Sequence, residues 1–158
     1  MKTVFRIVLA AALAVSAGLS SCRAKEDPWE GMYPFWGNRP SERACAIEHR
    51  YGGVTFPVFV IPGEKEWVSR QMEEWDCVPD TANEVDDSVA KAHSQEHYEV
   101  RRSRDLMDFA GTPYQAVRPS YILFDSGDCL IYLYDWYNMC TMDAVPPPAK
   151  TVEPRFER

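Results

Sequence analysis

The chain has 158 residues, with 17 Lys and Arg against 24 Asp and Glu, five Cys and 46% apolar side chains. That length suits one ordinary domain and excludes a large multidomain enzyme, and the apolar fraction excludes a wholly disordered chain. The net charge of −7 repels phosphate backbones, and no basic run is longer than Arg101-Arg102, so nucleic acid is not an expected partner.

Lys2 and Arg6 precede an apolar stretch, Ile7 to Leu19, broken only by Ser16 and Gly18. Thirteen helical residues reach ~20 Å, short of a ~30 Å hydrocarbon core. Basic head, short apolar centre and small residues read as a secretory signal peptide over 1–21 rather than a membrane span. Leu19-Ser20-Ser21-Cys22 then resembles the lipobox of bacterial lipoproteins. The resemblance covers about 22 residues and says nothing of the domain behind them. It implies that Cys22 is acylated and becomes the first mature residue, anchored by several acyl chains, each contributing ~0.8 kcal/mol per buried CH₂. Arg23, where many inner-membrane lipoproteins have Asp, implies the outer membrane. An ordinary signal peptide with Cys22 as an incidental thiol is the rival reading. Without residues 1–21, 15 cationic and 24 acidic side chains remain, a net charge of −9.

Residues 22–28 read as a lipidated, solvated tether, and 29–145 as a single domain. The segment 29–44 holds Trp29, Tyr33, Phe35 and Trp36. It is expected to be irregular, with its rings capping the core; the alternative is an exposed platform for a sugar or peptide.

Cys45 to Ile61 (CAIEHRY-GG-VTFPVFVI) predicts a hairpin about a Gly52-Gly53 turn, pairing Tyr51 with Val54 through to Cys45 with Val60. One face then carries Cys45, Ile47, His49, Tyr51, Val54, Phe56, Val58 and Val60; the other carries Glu48, Arg50, Thr55 and Pro57. Pro57 cannot donate a ladder bond, so a free edge is expected there. A helix over 64–75 follows, with Val68, Met72 and Trp75 at i, i+4 and i+7, expected to lie on that apolar face.

With Cys22 assigned to lipid, Cys45, Cys77, Cys129 and Cys140 are an even set, predicting up to two disulfides worth ~2–4 kcal/mol each in an oxidising compartment. The helix runs back ~18 Å and carries Cys77 toward the Gly-Gly end, away from Cys45. Two pairings remain open: 45–129 with 77–140, or 45–140 with 77–129. There is no C-x-x-C and no paired short spacing for zinc.

Asp76 to Gln95 is acidic, with Val85, Val89 and Ala92 as a thin stripe: a short surface helix over 83–93, or a loop. Residues 97–102 alternate as a strand, and Ser103 is placed to cap a short helix over 104–110 that Gly111 ends. Residues 119–134 predict a second hairpin, PSYILF-DSGD-CLIYLY, pairing Asp125 with Asp128. That register puts Ile122, Phe124, Cys129, Ile131 and Leu133 on one face, and Tyr121, Leu123, Leu130, Tyr132 and Tyr134 on the other. Both faces are apolar, as in a central pair covered on both sides. From 146 to 158 the chain is Pro-rich and patternless, and a disordered tail is expected. The fold class is therefore α+β: a small, mostly antiparallel sheet from hairpins at about 45–61 and 119–134 plus a strand near 97–102, packed on one to three helices.

His93-Ser94-Gln95-Glu96-His97 matches the H-x-x-E-H pattern of inverzincin metallopeptidases. On one helix, His93 and His97 would share a face to hold a metal, with Glu96 as general base. Such enzymes need a further acidic ligand far downstream, and only 61 residues follow His97; solvated histidines are the default. His49 reads as a core histidine, and Asp125 and Asp128 as ordinary turn chemistry. No Gly-x-Ser-x-Gly, phosphate loop or dinucleotide fingerprint occurs, so no cofactor is expected. Anchor, size, acidic surface and missing catalytic constellation together predict a non-catalytic envelope lipoprotein that binds a protein partner, as inhibitor, immunity-type protein or assembly accessory. The rival readings are a glycan- or cell-wall-binding module using Trp29, Tyr33, Trp36, Tyr121, Tyr132 or Tyr134, and a zinc-dependent hydrolase at His93, Glu96 and His97.

Overall fold

A computed structural model of the chain describes residues 27–135 and 148–155. The stretch 1–21 read as a signal peptide, Cys22 and Cys140 lie outside the described residues. The elements are α1 (Pro28–Trp36), β1 (Cys45–Tyr51), β2 (Val54–Ile61), α2 (Lys65–Glu74), β3 (Cys77–Asp80), α3 (Glu84–His93), β4 (Tyr98–Ser103), β5 (Met107–Phe109), β6 (Val117–Phe124), β7 (Cys129–Asp135) and β8 (Lys150–Val152). Strands run in the order β1-β2-β7-β6-β4-β3, with β5 on β6 and β8 on β5. The fold is α+β with an open, mostly antiparallel sheet, as its alternating segments require. No described helix is long and apolar enough to cross a membrane.

The first hairpin has the register its pattern dictates, from Cys45↔Val60 to Tyr51↔Val54. Gly52 and Gly53 have φ of +56° and +84°, the left-handed pair that a two-residue turn matching the strand twist needs. Pairing of β2 with β7 begins only at Val58, which leaves Pro57 beyond the ladder on that side.

The expected seat of α2 is corrected. β2 lies between β1 and β7, and its run Val58-Phe59-Val60-Ile61 is buried on both faces. Val58 and Val60 meet α3, whereas Phe59 and Ile61 meet α1 and α2. The helix therefore packs on the face opposite Cys45, because a central strand offers apolar surface on both sides.

The second hairpin is one residue out of the expected register. Leu123, not Phe124, faces Cys129, and Ser120 faces Tyr132. The turn is three residues long: the Gly127 N–H donates to the Phe124 carbonyl (2.9 Å), the Phe124 N–H to the Asp128 carbonyl (3.0 Å), and Gly127 has φ +93°. A left-handed glycine closing such a turn adds one residue to one arm, which exchanges that arm's faces. Tyr121, Leu123, Cys129, Ile131 and Leu133 thus share the α1/α2 side; Ile122, Phe124, Leu130 and Tyr132 share the α3 side.

Three segments differ from expectation. Residues 29–44 begin with a helix rather than irregular chain: Asp27 accepts the Trp29 N–H (3.0 Å), Pro28 sets the first turn, and Trp29, Met32, Phe35 and Trp36 line one buried face. The helix expected over 104–110 is replaced by β5, where Met107 pairs with Val117. The Ser103 hydroxyl there bonds to Asp105 on both its N–H (3.3 Å) and carbonyl (3.1 Å), turning the chain back to the sheet instead of capping a helix. Within the supposed tail, β8 pairs in parallel with β5, an attachment made by backbone bonds that needs no side-chain pattern. α3 forms over its expected span through a capping box between Asn83 and Asp86, and β3, which no pattern announced, pairs with β4.

Candidate functional site

The two outer strands of the sheet differ in what they offer a partner. β3 is four residues long and contains Pro79, a short edge with a missing donor. β1 has seven residues with no proline, and among the described residues it pairs only with β2. Because a two-residue turn makes Tyr51 and Val54 a hydrogen-bonded pair, the backbone groups of Arg50 and Ala46 point outward from the sheet. On the α3 side of this hairpin, Ile47 and Val54 keep 45% and 37% exposure.

Hydrogen bonds from α3 hold that edge in place. The Tyr51 hydroxyl donates to Glu84 (2.8 Å), and this bond, with some desolvation, raises its pKa above the ordinary tyrosine value. His49 Nε2 lies 3.0 Å from Ser88 Oγ, and its ring meets Phe56 edge-on; burial lowers its pKa. His49 is half-buried rather than in the core, with a hydroxyl partner for one nitrogen.

Behind the edge is a buried polar network that sequence reading missed. Asp86, fully buried, accepts from Arg102 Nη2 (2.6 Å), the Tyr132 hydroxyl (2.6 Å) and the Asn83 N–H (2.9 Å). Arg102 also donates to Ser120 Oγ (3.0 Å) and Asp80 (3.1 Å). Burial and the neighbouring Asp86 carboxylate push the Tyr132 pKa far up, so it stays a neutral donor. The Tyr98 hydroxyl donates to Asp87; burial first, then this bond, push its pKa up to about 12. The network ties α3 to β4, β6 and β7. Asn83-x-x-Asp86 was its one legible trace.

The H-x-x-E-H residues do not form a metal site. α3 ends at His93, and the extended backbone of Ser94 turns the chain toward β4, which removes the shared helical face. Each side chain meets a different part of the β6–β7 turn instead: His93 Nε2 lies 3.5 Å from Asp128, Glu96 accepts the Ser126 N–H (3.3 Å), and His97 Nδ1 is 3.3 Å from Asp125. Among the described residues no group of three His, Cys, Asp or Glu is placed to hold a metal ion.

The aromatic platform is likewise corrected. Trp29 and Trp36 are 2% and 3% exposed, and Tyr121 and Tyr132 are buried to the same degree, because the sheet is covered on both faces. Tyr33 alone of the described candidates is open, at 42%, and the side chain of Tyr134 lies outside the described residues.

Among the described residues, Cys45, Cys77 and Cys129 form no disulfide with one another. Cys45 lies on the α3 side and Cys129 on the α1/α2 side, which rules out 45–129. Cys77 on β3 is separated from β7 by two strands, about 14 Å at the usual spacing, beyond disulfide reach. The pairings 45–140 and 77–140 involve Cys140, outside the described residues. Burial, then Asp76, pushes the Cys77 pKa up to about 12, and burial raises Cys129 further, so both are poor nucleophiles.

Neither protein-family models, curated proteins nor solved structures contain a match to this chain.

Proposed function

We propose that the chain is an envelope lipoprotein, tethered through Cys22, that engages a protein partner by strand addition at β1 and carries out no catalysis. The β1 edge is the observation that carries this reading: it lacks the proline that blunts the opposite edge, pairs only with β2 among the described residues, and turns the backbone groups of Arg50 and Ala46 outward. Main-chain bonds would supply affinity, and alternate side chains the specificity. The occupant is an extended segment of another envelope protein, with an apolar residue against Ile47 and net positive charge. Basic side chains complement the −9 of the chain after residue 21. Support for the anchor is the basic head, short apolar stretch and Leu19-Ser20-Ser21-Cys22.

Photo-crosslinking from position 47 in the native, membrane-bound protein tests the proposal. One reproducible protein adduct is expected, lost in Arg50→Pro, which removes an outward N–H while leaving the β1–β2 ladder bonds intact. No adduct, or an adduct unchanged in Arg50→Pro, overturns the docking mode. The anchor is tested separately: Cys22→Ala is expected to lose labelled palmitate and leave the membrane fraction.

A further inference from the structure

A cleft of about 320 Å³ opens between α2 and the sheet, beneath the β6–β7 turn. Lys65 and Ser69, one turn apart on α2, and Arg101 from β4 form its polar side; Met72, Leu123 and Cys129 form an apolar wall. Asp128, also at the cleft, is engaged by His93.

Arg101 and Arg102 are adjacent but face opposite sides of the sheet. Arg102 is matched by two aspartates. Arg101 is half-buried with its Nε sealed from solvent and without a hydrogen-bond partner. Neither Arg101 nor Lys65 has a carboxylate within ion-pair range among the described residues. In a chain with an excess of acids, two cations that have no carboxylate partner among the described residues thus converge on one cleft over an apolar wall. The end of the Lys65 side chain lies across the turn against Gly127.

We propose that this cleft binds a small amphiphilic carboxylate. Its head group accepts from the Arg101 guanidinium, the Lys65 ammonium and the Ser69 hydroxyl, while its chain lies on Met72, Leu123 and Cys129. A guanidinium fork beside an ammonium suits a carboxylate, and the wall suits a hydrocarbon. The volume of about 320 Å³ admits a carboxylate with a short hydrocarbon chain, and octanoate is such a molecule. This site is independent of the partner reading, since none of its residues belongs to β1.

The test is a titration of the full chain with octanoate, read at the methyl resonances of Met72 and Leu123. Saturable shifts at both methyls are expected, with affinity about tenfold weaker for octanamide, which lacks the charge, and about tenfold weaker in Lys65→Gln, an exposed substitution. Arg101→Gln is expected to lose at least as much. Silent methyls at millimolar octanoate, equal affinity for octanamide, or unchanged affinity in both variants would overturn the proposal.

Discussion

The two faces of the sheet are buried by different means. On the α1/α2 side, large rings close over one another: Trp36 and Trp29 meet Phe59 edge-on at 4.3 and 5.7 Å between centroids, and Phe35 meets Phe109 at 5.1 Å. Buried polar atoms there, the indole nitrogens of Trp29 and Trp36 and the Tyr121 hydroxyl, have no partner. On the α3 side the apolar residues are smaller, chiefly Val, Ile and Leu, and a carboxylate at the centre has all its neighbours satisfied. Area holds the first face and geometry holds the second. Exchanging similar shapes is therefore tolerated on the ring side, while deleting a single acceptor is not tolerated on the other.

Removing that acceptor is the largest test. Asp86→Ala leaves Arg102, Tyr132 and the Asn83 N–H facing a void, and a loss of about 3–5 kcal/mol is expected in urea unfolding. Phe59→Leu, at the centre of the ring face, is expected to cost only about 1–1.5 kcal/mol by the same measurement, since an apolar side chain of similar size is retained. Equal losses in the two variants would erase the distinction. The smallest effect is a pH dependence. A tyrosine whose folded pKa is raised to about 12 stabilises the fold fully below its unfolded value near 10, and that stability drains as pH climbs from about 10 to 12. Thermal unfolding of Tyr98→Phe across that range should show a shallower decline than the parent. Parallel curves would mean that Tyr98 is not responsible.

The two hairpins show how far pattern reading goes. Around Gly52-Gly53 the polar and apolar positions alternate cleanly, and the closing glycines admit one turn, so register followed. Apart from Ser120 the second hairpin is apolar on both faces, so a slip of one residue leaves its pattern almost unchanged, and the three-residue turn ending at Gly127 distinguishes the registers. The same reasoning separates the candidate sites. His93, Glu96 and His97 were visible as a motif, but the helix end that parts them depends on Ser94 adopting an extended backbone. Arg101 and Arg102 read simply as consecutive basic residues, and nothing local says that one is paired and the other left open to a cleft. For α1 a local signal exists in the Asp27-Pro28 start and the spacing of Trp29, Met32 and Phe35, although the segment was expected to be irregular.

Local chemistry settled the first hairpin and the α+β class, placed a strand near 97–102 and offered a helix over 83–93 as one of two readings, because turn glycines, caps and periodicity act within a few residues. Tertiary structure alone decided which face each helix covers, the register at Gly127, the separation of Cys45, Cys77 and Cys129, and the gathering of Asp86, Arg102, Ser120 and Tyr132. Those outcomes depend on contacts between residues far apart in the chain, which form only when the whole sheet closes and which no short window of sequence encodes.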